Sequence, residues 1–428
     1  MGKVKNMQSL LQHRVIVRKL KNGATLLLEP LSAFSTASLA FFTKFGSRDE
    51  TKNEAGFSHF IEHMFFKGCE KYTKDELSSK FDEMGGFINA YTSKEEVCIY
   101  NTVPEYYLED SICLMEQMFN RSMFNDKELS VEKDVILNEL NSTLEDPQDK
   151  LWEDFFASFF ADCGLGHPII GYEQIIQDVT RENLMTFYQK NFTANRLIIS
   201  IAGNFNPDKV THLIENLDFR TAYGNLENKK DLKISSEKFG FTDMKSEHVH
   251  VMFGSVIAQN SLEFSLKTSL LSILLGDSFS SRLFKKIRDE LGLCYTITTQ
   301  FEEFRNETLF SIYFSVDYSK YNKAIEAVNQ VICNLLEHGL VDGELEKIKK
   351  QKIGEILLNN DNLSRKMSSN IYYHLISDSK MNKLKSIEII KNISAEEIMS
   401  LARDFLNSQK IYTHVLYKKK VNQPKWTF

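Results

Sequence analysis

The chain has 428 residues, of which 26% are charged and 42% hydrophobic, with a formal net charge of −6 at neutral pH. That length exceeds one ordinary core and predicts two domains. The weak acidic balance, with Lys and Arg scattered, argues against nucleic acid as the main partner, and the lack of a long apolar run argues against membrane insertion.

No acid precedes Glu29, and Lys3, Lys5, Arg14, Arg18 and Lys19 make the start basic. Yet there is no apolar signal core, and a strand begins near Val15, which leaves little room for a cleaved leader. Lys21-Asn22-Gly23 is a hairpin signal between that strand and a second over Ala24 to Leu28. Ser38 to Phe45 reads as a strand that leads through Gly46-Ser47-Arg48-Asp49-Glu50 to a glycine-bracketed segment, Gly56 to Gly68. Phe57, Phe60, Ile61, Met64 and Phe65 fall at helical spacing there, with Ser58 as a plausible N-cap.

On that helix His59 and His63 leave the same face one turn apart, the separation at which two imidazoles reach one metal ion, and Glu62 stands beside them. His-x-x-Glu-His reverses the commoner zinc-peptidase order. The competing reading is a buried amphipathic helix whose histidines are hydrogen-bonded core residues.

Lys74 to Met84 predicts a helix stopped by Gly85-Gly86, followed by strands Phe87 to Tyr91 and Val97 to Val103 joined through Thr92-Ser93-Lys94. Helices over Leu108 to Asn120 and Asp126 to Leu144 come next, the second ending before Pro147. Trp152 to Ala161 reads as an apolar helix, Arg181 to Lys190 as another, and Arg196 to Ala202 as a buried strand. Periodicity is lost over about 216–240, which marks an interdomain linker. The expected division is 14–216 for a metal-binding domain, 217–240 for the linker and 241–428 for a second domain.

The second half echoes the first. Phe81-Asp82-Glu83-Met84-Gly85 returns as Ile287-Arg288-Asp289-Glu290-Leu291-Gly292. Strand Val97 to Val103 and its helix return as Phe310 to Val316 and Ala324 to Leu336, and Leu129 and Leu345 stand 216 positions apart in matching contexts. Duplication of one α+β domain explains this, and the second copy lacks His-x-x-Glu-His. The six cysteines, Cys69, Cys98, Cys113, Cys163, Cys294 and Cys333, form no Cys-x-x-Cys pair and read as reduced thiols.

A catalytic zinc commonly takes three protein ligands and keeps one position for water. The acid-rich helix from Asp126 offers Glu128, Glu132 and Glu139 on one face, and spacing alone leaves the choice open, as it leaves open an ordinary solvated stripe.

His59-Phe60-Ile61-Glu62-His63, with Glu139 placed 76 residues after His63, resembles the pitrilysin family of zinc metallopeptidases, the family of the mitochondrial processing peptidase. Gly46-Ser47-Arg48, Asn89-Ala90-Tyr91-Thr92 and Val135-Ile136-Leu137-Asn138-Glu139 resemble it too. The resemblance implies two homologous α+β domains, each a mostly antiparallel sheet packed with helices, forming half of a clamshell chamber. It implies one Zn²⁺ per chain held by His59, His63 and Glu139, with Glu132 orienting a histidine and Glu62 as general base. Arg288 and Tyr295 match the Arg/Tyr pair of the family's non-metal domain, which would donate to the substrate carbonyl and the developing oxyanion.

Asn89, Ala90 and Tyr91 would offer strand backbone to an extended peptide, although an interior strand with no free edge is equally open from the sequence. The expected activity is endopeptidase cleavage of oligopeptides or unfolded segments. A homodimer sharing its sites across two chains is expected over a heterodimer, because this chain carries both the metal motif and the Arg/Tyr pair. A non-catalytic scaffold of the same fold and a small-molecule metal hydrolase are the rival readings. The missing targeting signals point to the cytoplasm, with a mitochondrial or envelope-associated location left open.

Overall fold

The computed structural model describes residues 15–161, 163–221, 232–376 and 382–428. It is an α+β protein whose described residues divide into two compact units, each built on one sheet. In the first unit, strands β1 (Ile16–Lys19), β2 (Thr25–Pro30), β3 (Thr36–Thr43), β4 (Phe87–Thr92), β5 (Val97–Pro104) and β6 (Leu197–Gly203) form a six-stranded sheet in the order β1-β2-β6-β3-β5-β4. In the second, β7 (Phe239–Asp243), β8 (His248–Ile257), β9 (Cys294–Glu303), β10 (Thr308–Asp317) and β11 (Tyr412–Tyr417) run in the order β7-β11-β8-β10-β9.

The internal repeat is visible in the strand order. Setting β2, β6, β3, β5 and β4 against β7, β11, β8, β10 and β9 matches every neighbour, and the sense agrees as well: β2 with β6 and β7 with β11 are parallel, the rest antiparallel. The helices Leu108–Arg121 and Asp126–Glu145 likewise correspond to Tyr321–His338 and Glu344–Asn360.

The expected domain limits need correction. Helix Pro147–Phe159 belongs to the second unit and helix Leu363–Ile376 to the first. The cause is burial. Phe155 and Phe159 pack their rings against Tyr412 of β11 at 5.2 and 5.3 Å. Leu363, Met367 and Ile371 join a cluster with Leu27, Ala40, Phe42 and Ile198 of the first sheet. The linker is also shorter than expected, since Phe219 is buried in the first core and β7 begins at Phe239; residues 222–231 of it lie outside the described residues.

Helix Pro147–Phe159 also starts five residues earlier than Trp152. Asp146 accepts from the backbone N–H of Gln148 and Asp149 at 2.8 and 3.0 Å, and Pro147 occupies the first turn, where its missing N–H costs nothing. No helix among the described residues is long and apolar enough to cross a membrane. All six cysteines are unpaired.

Candidate metal centre

Helix Phe57–Met64 is short and pinned at its start from outside. Gly56 takes φ +96°, and a Cβ there would meet the Ile170 carbonyl oxygen at 2.4 Å, so the turn and the loop at Ile170-Gly171 can cross only through glycine. The buried carboxylate of Glu50 accepts from Gly56 N–H at 2.8 Å and Ser58 N–H at 2.7 Å, satisfying N-terminal donors that the helix itself cannot. Burial pushes the Glu50 carboxyl up to about 8 against these hydrogen bonds. Phe57, Phe60, Ile61 and Met64 fill the core, which turns His59 and His63 towards helix Asp126–Glu145.

There the two imidazoles meet Glu139. His59 Nε2 lies 3.6 Å from Glu139 Oε1, and His63 Nε2 lies 3.5 Å from Oε2. The three ligand atoms sit within 4.8 Å of one another, the sole such His/Cys/Asp/Glu group among the described residues. These spacings are long for hydrogen bonds. They fit a bridging cation: zinc bonds to N and O put neighbouring ligand atoms about 3.4 Å apart across a tetrahedron edge. The donor set, two neutral imidazoles and one carboxylate, is also one that zinc takes in hydrolytic sites.

The electrostatics agree with that geometry. The imidazoles of His59 and then His63 hold the Glu139 carboxyl far below the usual carboxylate range. Burial of the His63 ring works against its charge, but Glu139 and Glu132 outweigh this and raise its pKa. Glu132 is 2% exposed; its Oε2 lies 3.0 Å from His63 Nδ1, and its Oε1 takes Lys67 Nζ at 2.5 Å. A buried carboxylate with one cation and one imidazole thus fixes the His63 ring. His59 lacks such support among the described residues, where its buried Nδ1 finds no hydrogen-bond partner.

Glu62 stands on the same helix, and Thr92 Oγ1 donates to its Oε2 at 2.5 Å. Thr92 ends β4, the outermost strand of the first sheet, so among the described residues one edge of β4 is free of a strand partner. On β4, Asn89 Oδ1 accepts from Ala90 N–H at 2.8 Å, Ala90 is buried, and Phe87 and Tyr91 are exposed.

His59, His63, Glu132 and Glu139 therefore converge, with Glu62 on the same helix as the histidines and bonded to Thr92 of the strand that carries Asn89, Ala90 and Tyr91. Arg288 and Tyr295 lie in the second unit and pair with each other. The Arg288 guanidinium is stacked 4.7 Å from the Tyr295 ring and 4.6 Å from that of Phe284. Both line a cleft of about 490 Å³, in which Tyr295 is 81% exposed.

Three participants escape the sequence reading. Lys67 follows His63 by four residues and lies in the turn just past the end of helix Phe57–Met64, where helical spacing no longer marks it. Glu50 and the Thr92 hydroxyl act across loops and strands, where sequence carries no periodic signal.

Comparisons with known proteins fit this layout. Residues 27–173 match the family model described as Insulinase (Peptidase family M16), and residues 178–352 match Peptidase M16 inactive domain. The first span contains His59, Glu62, His63 and Glu139, the second Arg288 and Tyr295. A protein of Rickettsia felis called an uncharacterized zinc protease is 31% identical, over 92% of this chain and 95% of its own. An uncharacterized zinc protease of Bacillus subtilis is 26% identical over 94% and 98%. Among solved structures, a protease from Helicobacter pylori superposes with a TM-score of 0.88 at 19% identity, covering 94% of this chain and 99% of that one. A peptidase M16 inactive domain from Pseudomonas fluorescens gives 0.85 at 16%, covering 96% and 100%.

Proposed function

The chain belongs to the M16 peptidase family, and from that premise we propose that it is a zinc-dependent endopeptidase acting on extended peptide segments. The observation that carries this reading is the convergence of His59 Nε2, His63 Nε2 and a Glu139 carboxylate oxygen within 4.8 Å, with Glu62 on the same helix as the histidines. Zinc bound there would polarise the scissile carbonyl and lower the pKa of a water molecule.

The chain's own residues do the rest. Glu62 takes the proton from the attacking water and delivers it to the leaving amine, so that one peptide bond and one water become a carboxylate and an amine. The free edge of β4 hydrogen-bonds the substrate backbone, which favours extended segments over any particular sequence. Arg288 and Tyr295 donate to the carbonyl oxygen as charge develops on it. A homodimer suits a chain that carries both the metal ligands and this pair, since each copy can supply what the other uses.

The test is zinc analysis together with cleavage of an internally quenched peptide. Glu62→Gln is expected to keep its zinc and lose about 10²- to 10⁴-fold in rate. Undiminished cleavage by that variant removes Glu62 as the base, and a wild type that carries zinc but cuts no peptide leaves a scaffold of the same fold.

A further inference from the structure

We propose that Thr92 is the positioning residue for Glu62: its hydroxyl proton caps Oε2 and so reserves Oε1 as the oxygen that receives the proton from water. This deepens the hydrolytic reading above and rests on it. The hydrogen bond is 2.5 Å long and joins residues 30 positions apart. Oε2 accepts from Thr92, and no other described residue hydrogen-bonds to the Glu62 carboxylate, so Oε1 is left to solvent or substrate water. A threonine hydroxyl has one proton to give, so this contact makes the two carboxylate oxygens inequivalent.

The placement adds a second consequence. Thr92 is the last residue of β4, paired with Val97 of β5, and β4 is the strand with the free edge. Glu62 is on the helix that carries both histidines. One side-chain bond therefore ties the strand that would hold the peptide backbone to the carboxylate that would serve the water. A carboxylate on a three-torsion side chain, released from this bond, samples several rotamers. Misplacement of a reacting group by about 1 Å is enough to cost a hundredfold in rate.

Thr92→Val removes the donor and keeps the branched shape, and Thr92→Ser keeps the donor. With an internally quenched peptide, Thr92→Val is expected to lower kcat by about 10- to 100-fold, with KM and the zinc dissociation constant from chelator competition unchanged. Thr92→Ser is expected to recover most of the rate. A Thr92→Val kcat within twofold of wild type overturns the proposal, as does an equal loss in Thr92→Ser or a loss that follows weakened zinc binding. A crystal structure of zinc-loaded Thr92→Val reads placement without turnover: a rotated or split Glu62 side chain supports the assignment, and an unmoved one overturns it. Because that readout needs no catalysis, a wild type that binds zinc and cuts nothing would refute the hydrolytic reading separately.

Discussion

Glu132 and His63 lie 69 residues apart in sequence and 3.0 Å apart at Oε2 and Nδ1. Since Nδ1 faces a carboxylate, it carries the ring proton, which leaves the Nε2 lone pair directed to the side where Glu139 stands. Glu132→Ala is therefore expected to weaken zinc binding by about 10- to 100-fold while all three ligands remain. Competition with a chromogenic chelator measures this, and an unchanged dissociation constant would show that packing alone orients the ring.

Gly56 is the hinge on which the metal helix enters. Its φ of +96° and the 2.4 Å approach of the Ile170 carbonyl leave no room for a side chain. Gly56→Ala is expected to cost on the order of 2 kcal/mol in a urea titration and to weaken zinc binding as well, because the start of the helix must shift.

Lys366 and Glu29 form a buried pair at 3.2 Å, with Asn370 donating to the other Glu29 oxygen at 2.9 Å. Lys366→Met leaves the Glu29 carboxylate without its cation and is expected to cost about 3–5 kcal/mol. Adding Glu29→Leu should recover most of that loss, and a double-mutant cycle on urea-unfolding free energies reads the coupling.

Two buried histidines of the second unit predict an acid dependence. Burial pushes His250 and His414 down to about 4 from an ordinary value of 6.5. The unfolded chain takes up these protons near 6.5, the folded chain near 4; their contribution is complete above 6.5 and is lost as pH falls towards 4. Within that window His414→Gln should flatten the dependence of unfolding free energy on pH by up to about 1.4 kcal/mol per pH unit. Parallel curves for wild type and variant would contradict the assignment.

What could be read from the sequence was local. His59, Glu62 and His63 share one helical turn, and that spacing survives translation into structure because a helix fixes it. The acids of helix Asp126–Glu145 were ambiguous for the converse reason: spacing puts three on one face, and only the tertiary partners tell them apart. Glu128 faces Lys74 at 3.7 Å, Glu132 is buried on His63 and Lys67, and Glu139 stands beside both imidazoles. Resemblance to a family separated them where periodicity did not. The free edge of β4 depends on sheet order, which one strand does not encode. Helix Leu363–Ile376 reads as part of the second half by position, yet its apolar face is buried with the first sheet.

The most direct test of the account is to titrate zinc into metal-free protein while following cleavage of a quenched peptide. Activity should rise linearly and break at one equivalent per chain, with no such rise in His63→Ala. A fully zinc-loaded wild type without cleavage, or the same titration curve in His63→Ala, would contradict it.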